Sequence, residues 1–583
     1  MQVYNRTLTL NRKAGFTYRD LVSLGIFFGI LIIIARGTSQ MSLPISTLEH
    51  SAISLAPSAL PEYALATVLR MFAAIIFSII FAIIYGSIAA KSKYAEKIMI
   101  PALDIFQSIP VLGYISFTVT GFLAMFPGNI MGLELASIFA AFTNQVPNVT
   151  FSVYQSLKTI PEDLNETCIV FGVSPRQKFF ALELPFAMPG LIWNGMMSMS
   201  GSWFLIVASE SIAVNQKIVM LPGVGSYIAQ AINQHDLHAI GYAVICMLIV
   251  ILMYDQLIFR PLVAWGDKFH SATNENTPIP KSFIFDLFRK SQIVKTSISL
   301  TKTGLTKILH YPVVPLNYAI DISIHLIDLC STISLPKKTI YLWYVLIIGI
   351  TIYSINSSIG FIEATLGWKE LLLVIKLGFF TMIRVLTMIA LAAIIWVPIG
   401  VYVGLRPNLA EKIEPLAQFL AAFPANLLFP LAVIFIAQCG MNPNIWLSPL
   451  MILGTQWYIL FNVIAGTSAF STDLIYASDM LHIKGKLWWQ KVILPGIFPY
   501  LVTGCITAAG GAWNASIIAE IVSWGDTHFV AEGIGAYITQ ATLTDNFPKI
   551  IIGIGVMSLY VIILNKLLWR PLYNLAEQKS KLG

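Results

Sequence analysis

Apolar residues run along this chain in blocks of about 20, the length at which an α-helix crosses the hydrocarbon core of a bilayer. Twelve blocks can be read, at 16–35, 66–90, 98–123, 130–155, 186–214, 238–259, 340–357, 378–404, 413–437, 443–467, 497–524 and 546–568. The polar stretches between them alternate in charge. Lys and Arg gather at the N-terminus, at Lys91–Lys97, at Lys158–Lys178, across Arg260–Lys307 and at the C-terminus, whereas 36–65, 124–129 and 215–237 hold few of them. Positive charge stays on the cytoplasmic side of a membrane, so both termini and every second loop are expected inside, which fits an even number of spans. The first block follows Arg12, Lys13 and Arg19 as a signal peptide would, but the internal block Ile340–Ile350 behind Lys337 and Lys338 has the same form and cannot be a leader. The first block is therefore expected to be a retained span.

Laid upon itself, the chain repeats. Thr67 and Arg70 recur as Thr381 and Arg384, and Pro101 and Pro110 as Pro415 and Pro424, at a shift of 314. After a four-residue slip the shift becomes 310. There Pro185, Pro189, Trp203, Glu210, Gly223, Gly225, Tyr227, Gln230, Arg260 and Pro261 meet Pro495, Pro499, Trp513, Glu520, Gly533, Gly535, Tyr537, Gln540, Arg570 and Pro571. An even number of spans per copy makes this a parallel repeat, with its pseudo-twofold axis along the membrane normal. The expected fold is all-α: a polytopic transmembrane bundle of two tandem six-helix modules.

Composition narrows the functional classes. With 57% hydrophobic against 11% charged residues, the chain lies outside the soluble range. Its net charge of +7 sits in short clusters between apolar blocks, as membrane topology requires, and not on one basic face of the kind that binds nucleic acid. Cys168, Cys246, Cys330, Cys439 and Cys505 stand singly, without a partner at zinc or disulfide spacing, so no metal site is expected. Between the copies, 265–337 carries Lys281, Arg289, Lys290, Lys295, Lys302 and Lys307 with apolar residues every three or four positions, and reads as amphipathic helix on the inner leaflet.

The loop after the fourth block carries the sharpest motif. Glu166-Thr-Cys-Ile-Val-Phe-Gly172 is followed after nine residues by Leu182-Glu-Leu184-Pro185. Asp163 and Glu166 suit the start of a helix, Gly172 lets the backbone reverse, and Pro185 can open the next helix without losing a needed donor. This spacing resembles the cytoplasmic signature loop of binding-protein-dependent ABC importer permeases, which docks in a cleft of the ATPase. Within that superfamily the chain is similar to the fused type of the nitrate, sulfonate, taurine and bicarbonate class. In the second copy Asp473, Leu494 and Pro495 are retained. Tyr476 replaces Glu166 and His482 replaces Gly172, while Gly485 lies three residues further on. The second turn is therefore expected to be displaced or reshaped.

The resemblance implies permease domains at 60–262 and 374–572. Around them lie an N-terminal segment with the first span at 1–59, a linker with the seventh span at 263–373, and a tail at 573–583. It also implies a bacterial cytoplasmic membrane location, an ABC ATPase dimer that binds ATP and Mg, an extracytoplasmic solute-binding protein, and a small anion as cargo. No phosphate-binding loop is present, since Gly485-Lys486-Leu487 lacks both the upstream Gly and the hydroxyl residue. No catalytic residue and no cofactor are therefore expected in this chain. The rival readings are a secondary transporter with twofold repeats and an ABC permease for a solute that is not an anion.

Ionisable residues at membrane depth need a partner or a task. Arg70 and Arg384 are read in the first turns of their spans, either snorkelling to headgroups or forming a collar for an entering oxyanion. Glu210 and Glu520 follow Trp203 and Trp513 by two helical turns and share a face with them. Such an acid lines the path, closes the outer gate, or is buried and hydrogen-bonded across the two copies; next to an anion it needs protonation or an Arg. Tyr227, Tyr537, Gln230 and Gln540 offer neutral donors on the path or serve helix packing.

Overall fold

The computed structural model describes residues 53–214, 217–266, 365–468, 470, 472–524 and 527–580, with single positions between 349 and 363. The expected span 16–35, most of the expected span 340–357, nearly all of the linker and the extreme ends of the chain lie outside the described residues.

The first half is α1 (Leu60–Lys91), α2 (Lys93–Ser108), α3 (Val111–Met125), α4 (Met131–Lys158), the short α5 (Glu162–Val170), α6 (Pro175–Ser209), the strands β1 (Ser211–Val214) and β2 (Lys217–Met220), α7 (Val224–Asn233) and α8 (Leu237–Gly266). The second half repeats this order as α9 (Gly367–Gly404), α10 (Pro407–Ala422), α11 (Phe429–Gln438), α12 (Pro443–Ile452), α13 (Gln456–Ser468), α14 (Thr472–Met480), α15 (Gly485–Ala519), β3 (Ile521–Trp524), β4 (Thr527–Val530), α16 (Ile534–Leu543) and α17 (Phe547–Leu575). The all-α, two-module reading holds, with two small antiparallel hairpins added. Among the described residues six helices, α1, α6, α8, α9, α15 and α17, are long and apolar enough to cross a membrane. α4 is 28 residues long but more polar, and it buries Glu134, Ser137, Thr143 and Gln145 inside the bundle.

Three expected spans are not continuous. The blocks 98–123 and 413–437 are bent by 87° between α2 and α3 and by 74° between α10 and α11. Pro110 and Pro424 supply the cause. Each forces the residue before it out of the helical region, and Ile109 and Phe423 are extended, with ψ of 120° and 125°. The block 443–467 is broken by 44° between α12 and α13, where its counterpart α4 is one unbroken helix. The blocks 186–214 and 497–524 end early as helix, because Ser211–Val214 and Ile521–Trp524 turn into the hairpins. Pro185 stands in the first turn of the α-helical stretch Leu184–Ser209, as expected, but that stretch continues without a break from a π turn at Phe179–Glu183 within α6. Pro495 follows the equivalent turn at Trp489–Ile493. The π turn shifts the backbone bonding by one residue and so accommodates the missing proline donor.

The two halves share one core. A single cluster joins Val111, Leu112 and Ile115 to Ile517, Ile552 and Val556. Asn514 Oδ1 accepts a 2.7 Å bond from the Val111 amide, Phe117 meets Phe547 at 5.4 Å, and Arg570 pairs with Asp104 at 2.9 Å. The two copies within this chain thus pack directly against each other.

Candidate functional site

Three features stand out, one at each end of α6 and α15 and one between the halves. At the hairpin end each half holds a buried polar clamp. Glu210 caps the C-terminus of α6 with a fully buried carboxylate. Its Oε1 accepts from the Thr67 hydroxyl at 2.6 Å and from Arg70 Nη1 at 2.7 Å, and its Oε2 accepts from the Gly225 amide at 2.7 Å. Arg70 also donates through Nε and Nη2 to both oxygens of Glu134, at 2.6 and 2.7 Å, and through Nη2 to the Pro222 carbonyl. The arginine therefore neither snorkels nor sits in a first turn. It lies about three turns into α1, is 1% exposed, and is held on all sides because a buried guanidinium must have its donors satisfied.

The second clamp keeps the acid and loosens the base. Thr381 donates to Glu520 at 2.6 Å and the Gly535 amide at 2.7 Å, but Arg384 meets Glu520 at 3.1 Å with its side chain 13% exposed. Asn444 stands where register 310 places Glu134, and accepts from Arg384 Nη2 at 3.3 Å. Of the other expected residues, Trp203 and Trp513 are buried and pack against Tyr254 and Tyr560. Tyr227 donates to the Leu55 carbonyl and Tyr537 to Glu370, while Gln230 is half-buried and Gln540 exposed.

At the opposite end of α6 and α15 lie the two signature loops. Asp163 and Glu166 are exposed on α5, and Gly172 takes the left-handed conformation with φ of +60°. Asp473 lies in the first turn of α14, Tyr476 is 66% exposed, and Leu184 and Leu494 begin the long helical stretches ahead of Pro185 and Pro495. The expected displacement of the second turn does not occur. His482 itself adopts φ of +54°, and the amides of His482 and Ile483 return to Asp479 and Ser478 as those of Gly172 and Val173 return to Ile169 and Cys168. The register of the backbone bonds overrides the side-chain preference, and His tolerates that region better than most residues. What changes is the next helix start. Ser174 caps the first with a capping box, whereas Lys484 provides no cap ahead of Gly485, whose φ is +62°. His482→Gly is therefore expected to slow amide exchange across α14 by several-fold, since relief of a left-handed non-glycine residue is worth about 1 kcal/mol. Gly172→Ala should speed exchange in α5; identical exchange in both variants and wild type would disprove the assignment.

Between the halves is a cavity of ≈ 320 Å³, bordered by α4, α6, the α12–α13 break and α15. Asn144, Asn194, Asn462 and Asn514 line it with Thr455, Tyr458 and Trp193, and no Asp, Glu, Lys, Arg or His is among its lining residues. None of the ten residues read above as path-lining reaches it. Four of them, Arg70, Glu210, Arg384 and Glu520, are taken up in the clamps. The amides escaped sequence reading because they lie in blocks judged only as apolar. The available signal was the recurrence of Asn, Ser and Thr inside membrane helices, where each is costly unless it meets a partner.

The family model described as the inner membrane component of binding-protein-dependent transport systems matches residues 74–258 and again 396–570. A bicarbonate transport system permease protein of Synechocystis is 32% identical over 166 residues, 28% of this chain and 56% of the relative. A nitrate import permease protein of Leptolyngbya laminosa is 26% identical over 178 residues, covering 30% and 60%. A glycine betaine/proline betaine transport system permease protein of Escherichia coli is 26% identical over 228 residues, covering 39% and 60%. The matched stretch thus spans less than two thirds of each of these relatives.

Proposed function

We propose that this chain, which belongs to the family of inner membrane components of binding-protein-dependent transport systems, is the complete membrane-spanning unit of an ATP-driven importer for a small anion. The observation that carries this reading is the pair of signature loops. Each ends in apolar side chains left in the open, Ile169, Val170 and Phe171 at 74–82% exposure and Met480 and Leu481 at 83% and 71%. Apolar tips outside a bilayer call for a protein partner. A separate ATPase dimer, holding ATP and Mg, would receive one tip per subunit, which places the loops, the N-terminus and the C-terminal tail in the cytoplasm. The hairpin end would then face the solute-binding protein. The anion is supported by the relatives named for bicarbonate and nitrate transport.

The test is Phe171→Asp and Leu481→Asp in the assembled transporter. Each is expected to reduce ATPase co-purification and solute uptake at least tenfold, since burying an unpaired carboxylate costs several kcal/mol. Undiminished co-purification in both variants would sink the docking reading. The purified chain alone should hydrolyse no ATP, and one copy per complex is expected by native mass.

A further inference from the structure

Resting on the import reading above, we infer that the cavity between the halves is a single binding site for one monovalent oxyanion, held by amide and hydroxyl donors without any cation. Asn144, Asn194, Asn462 and Asn514 each commit one amide N–H to the protein, to Ser202 Oγ and to the carbonyls of Gly190, Tyr458 and Gly510. The second N–H of each remains. Asn514 also accepts the Val111 amide on its carbonyl oxygen, which occupies one of that oxygen's two lone pairs and leaves the second N–H as a donor. The Thr455 hydroxyl is screened from solvent and has no hydrogen-bond partner. It stands at the break before α13, and Gly454, Thr455 and Tyr458 border the cavity. The N-terminal turn of α13 therefore faces the same space, and the positive end of an interrupted membrane helix is a place where anionic groups are held.

The helix N-terminus and the absence of a carboxylate favour an anion over a cation, and the free amide N–H groups supply the donors it would need. The absence of Lys and Arg sets the charge it can carry. The cost of placing an ion in a low-dielectric cavity rises with the square of its charge, so a dianion meets roughly four times the penalty of a monoanion with nothing to offset it. The volume of ≈ 320 Å³ leaves room for a small oxyanion with part of its water shell, each water occupying about 30 Å³.

The register of the repeat indicates one site and not two. Three clamp residues recur in kind, Thr67 with Thr381, Arg70 with Arg384 and Glu210 with Glu520. The cavity amides do not. Shifted by 310, Asn144 falls on Gly454, Asn194 on Gly504, Asn462 on Ser152 and Asn514 on Phe204. Both copies contribute amides, from positions that are not equivalent, and the donors surround a shared volume.

The experiment is uptake of nitrate, bicarbonate and a small alkanesulfonate by cells carrying the chain with its transport partners, with sulfate and glycine betaine as competitors. In the wild type, sulfate at equal concentration should compete at least tenfold less well than the imported monoanion. Asn144→Asp and Asn462→Asp, which add a negative charge at nearly constant volume, should each lower monoanion uptake tenfold or more while the complex still co-purifies. Thr455→Val should lower it several-fold. Monoanion import that is indifferent to both Asp variants, or blocked equally by sulfate, overturns the site and leaves the import reading standing. Import of glycine betaine in place of all three anions overturns both.

Discussion

Arg70→Met is expected to destabilise the first half by about 3–5 kcal/mol, because it leaves Glu134 and Glu210 buried and without their cation. The methionine fills a similar length of space, so the loss reports charge and hydrogen bonding more than packing. Four donor contacts disappear at once, two to Glu134, one to Glu210 and one to the Pro222 carbonyl. The matching change Arg384→Met should cost distinctly less. That arginine makes one ion pair at 3.1 Å, is partly exposed, and meets the neutral Asn444 where the first clamp has a second acid. Glu134→Asn copies the second clamp into the first and should be tolerated within about 1–2 kcal/mol, since one buried carboxylate then faces one guanidinium. Thermal unfolding followed by size-exclusion recovery gives the order of the three. Equal losses from Arg70→Met and Arg384→Met would show that the buried triad contributes no more than a slightly exposed pair.

Gly225→Ala is the second large effect, and it arises from space, not conformation. A Cβ on Gly225 would lie 1.9 Å from the Val207 carbonyl oxygen, and on Gly535 it would lie 2.3 Å from that of Ser516. Both obstacles are backbone within α6 and α15, which cannot move aside as a flexible side chain would. The hairpin connection would have to lift off the helix end. Glu210 and Glu520 would then lose the amide bonds from Gly225 and Gly535, each 2.7 Å long. We expect a loss of several kcal/mol, enough to abolish recovery of folded protein, as overpacking against a rigid wall does at its upper extreme. Gly241→Ala is the control. Nothing lies within 4 Å of its added Cβ, and it sits inside α8, where alanine is the better helix former by up to about 1 kcal/mol. Normal folding of Gly225→Ala would mean that the helix end and the glycine loop are not in the contact described.

Much of the framework is legible without coordinates, for a physical reason. Bilayer thickness demands long apolar helices, and a duplicated chain must satisfy the same local constraints twice, so the Pro, Gly, Trp and Glu positions of the two copies announce each other at fixed register. The signature loop is equally local, since its acid, glycine and proline act through the backbone conformation of their own neighbourhood. Sequence alone thus determined the two modules, their parallel order and the position of the loops. It also marked Arg70, Glu210 and Gly225 as special, each separately.

Only the tertiary structure decided what these residues do with one another. Glu134 is a lone acid in an apolar block, 64 positions from the guanidinium it binds, and no local spacing couples the two. The same holds for the cavity, whose amides come from four helices and gain meaning only when the halves close around a shared volume. Helix continuity also lay beyond pattern. Hydropathy cannot see that Pro110 and Pro424 turn the chain while Pro101 and Pro415 are carried inside helices, because the outcome depends on what packs around each bend. At His482 the backbone bonds of the loop hold a non-glycine residue in the left-handed region, where residue preference by itself would have moved the turn. Local chemistry sets which conformations are available, and the packed bundle selects among them, since a buried charge or an unpaired donor costs more than the strain of one residue.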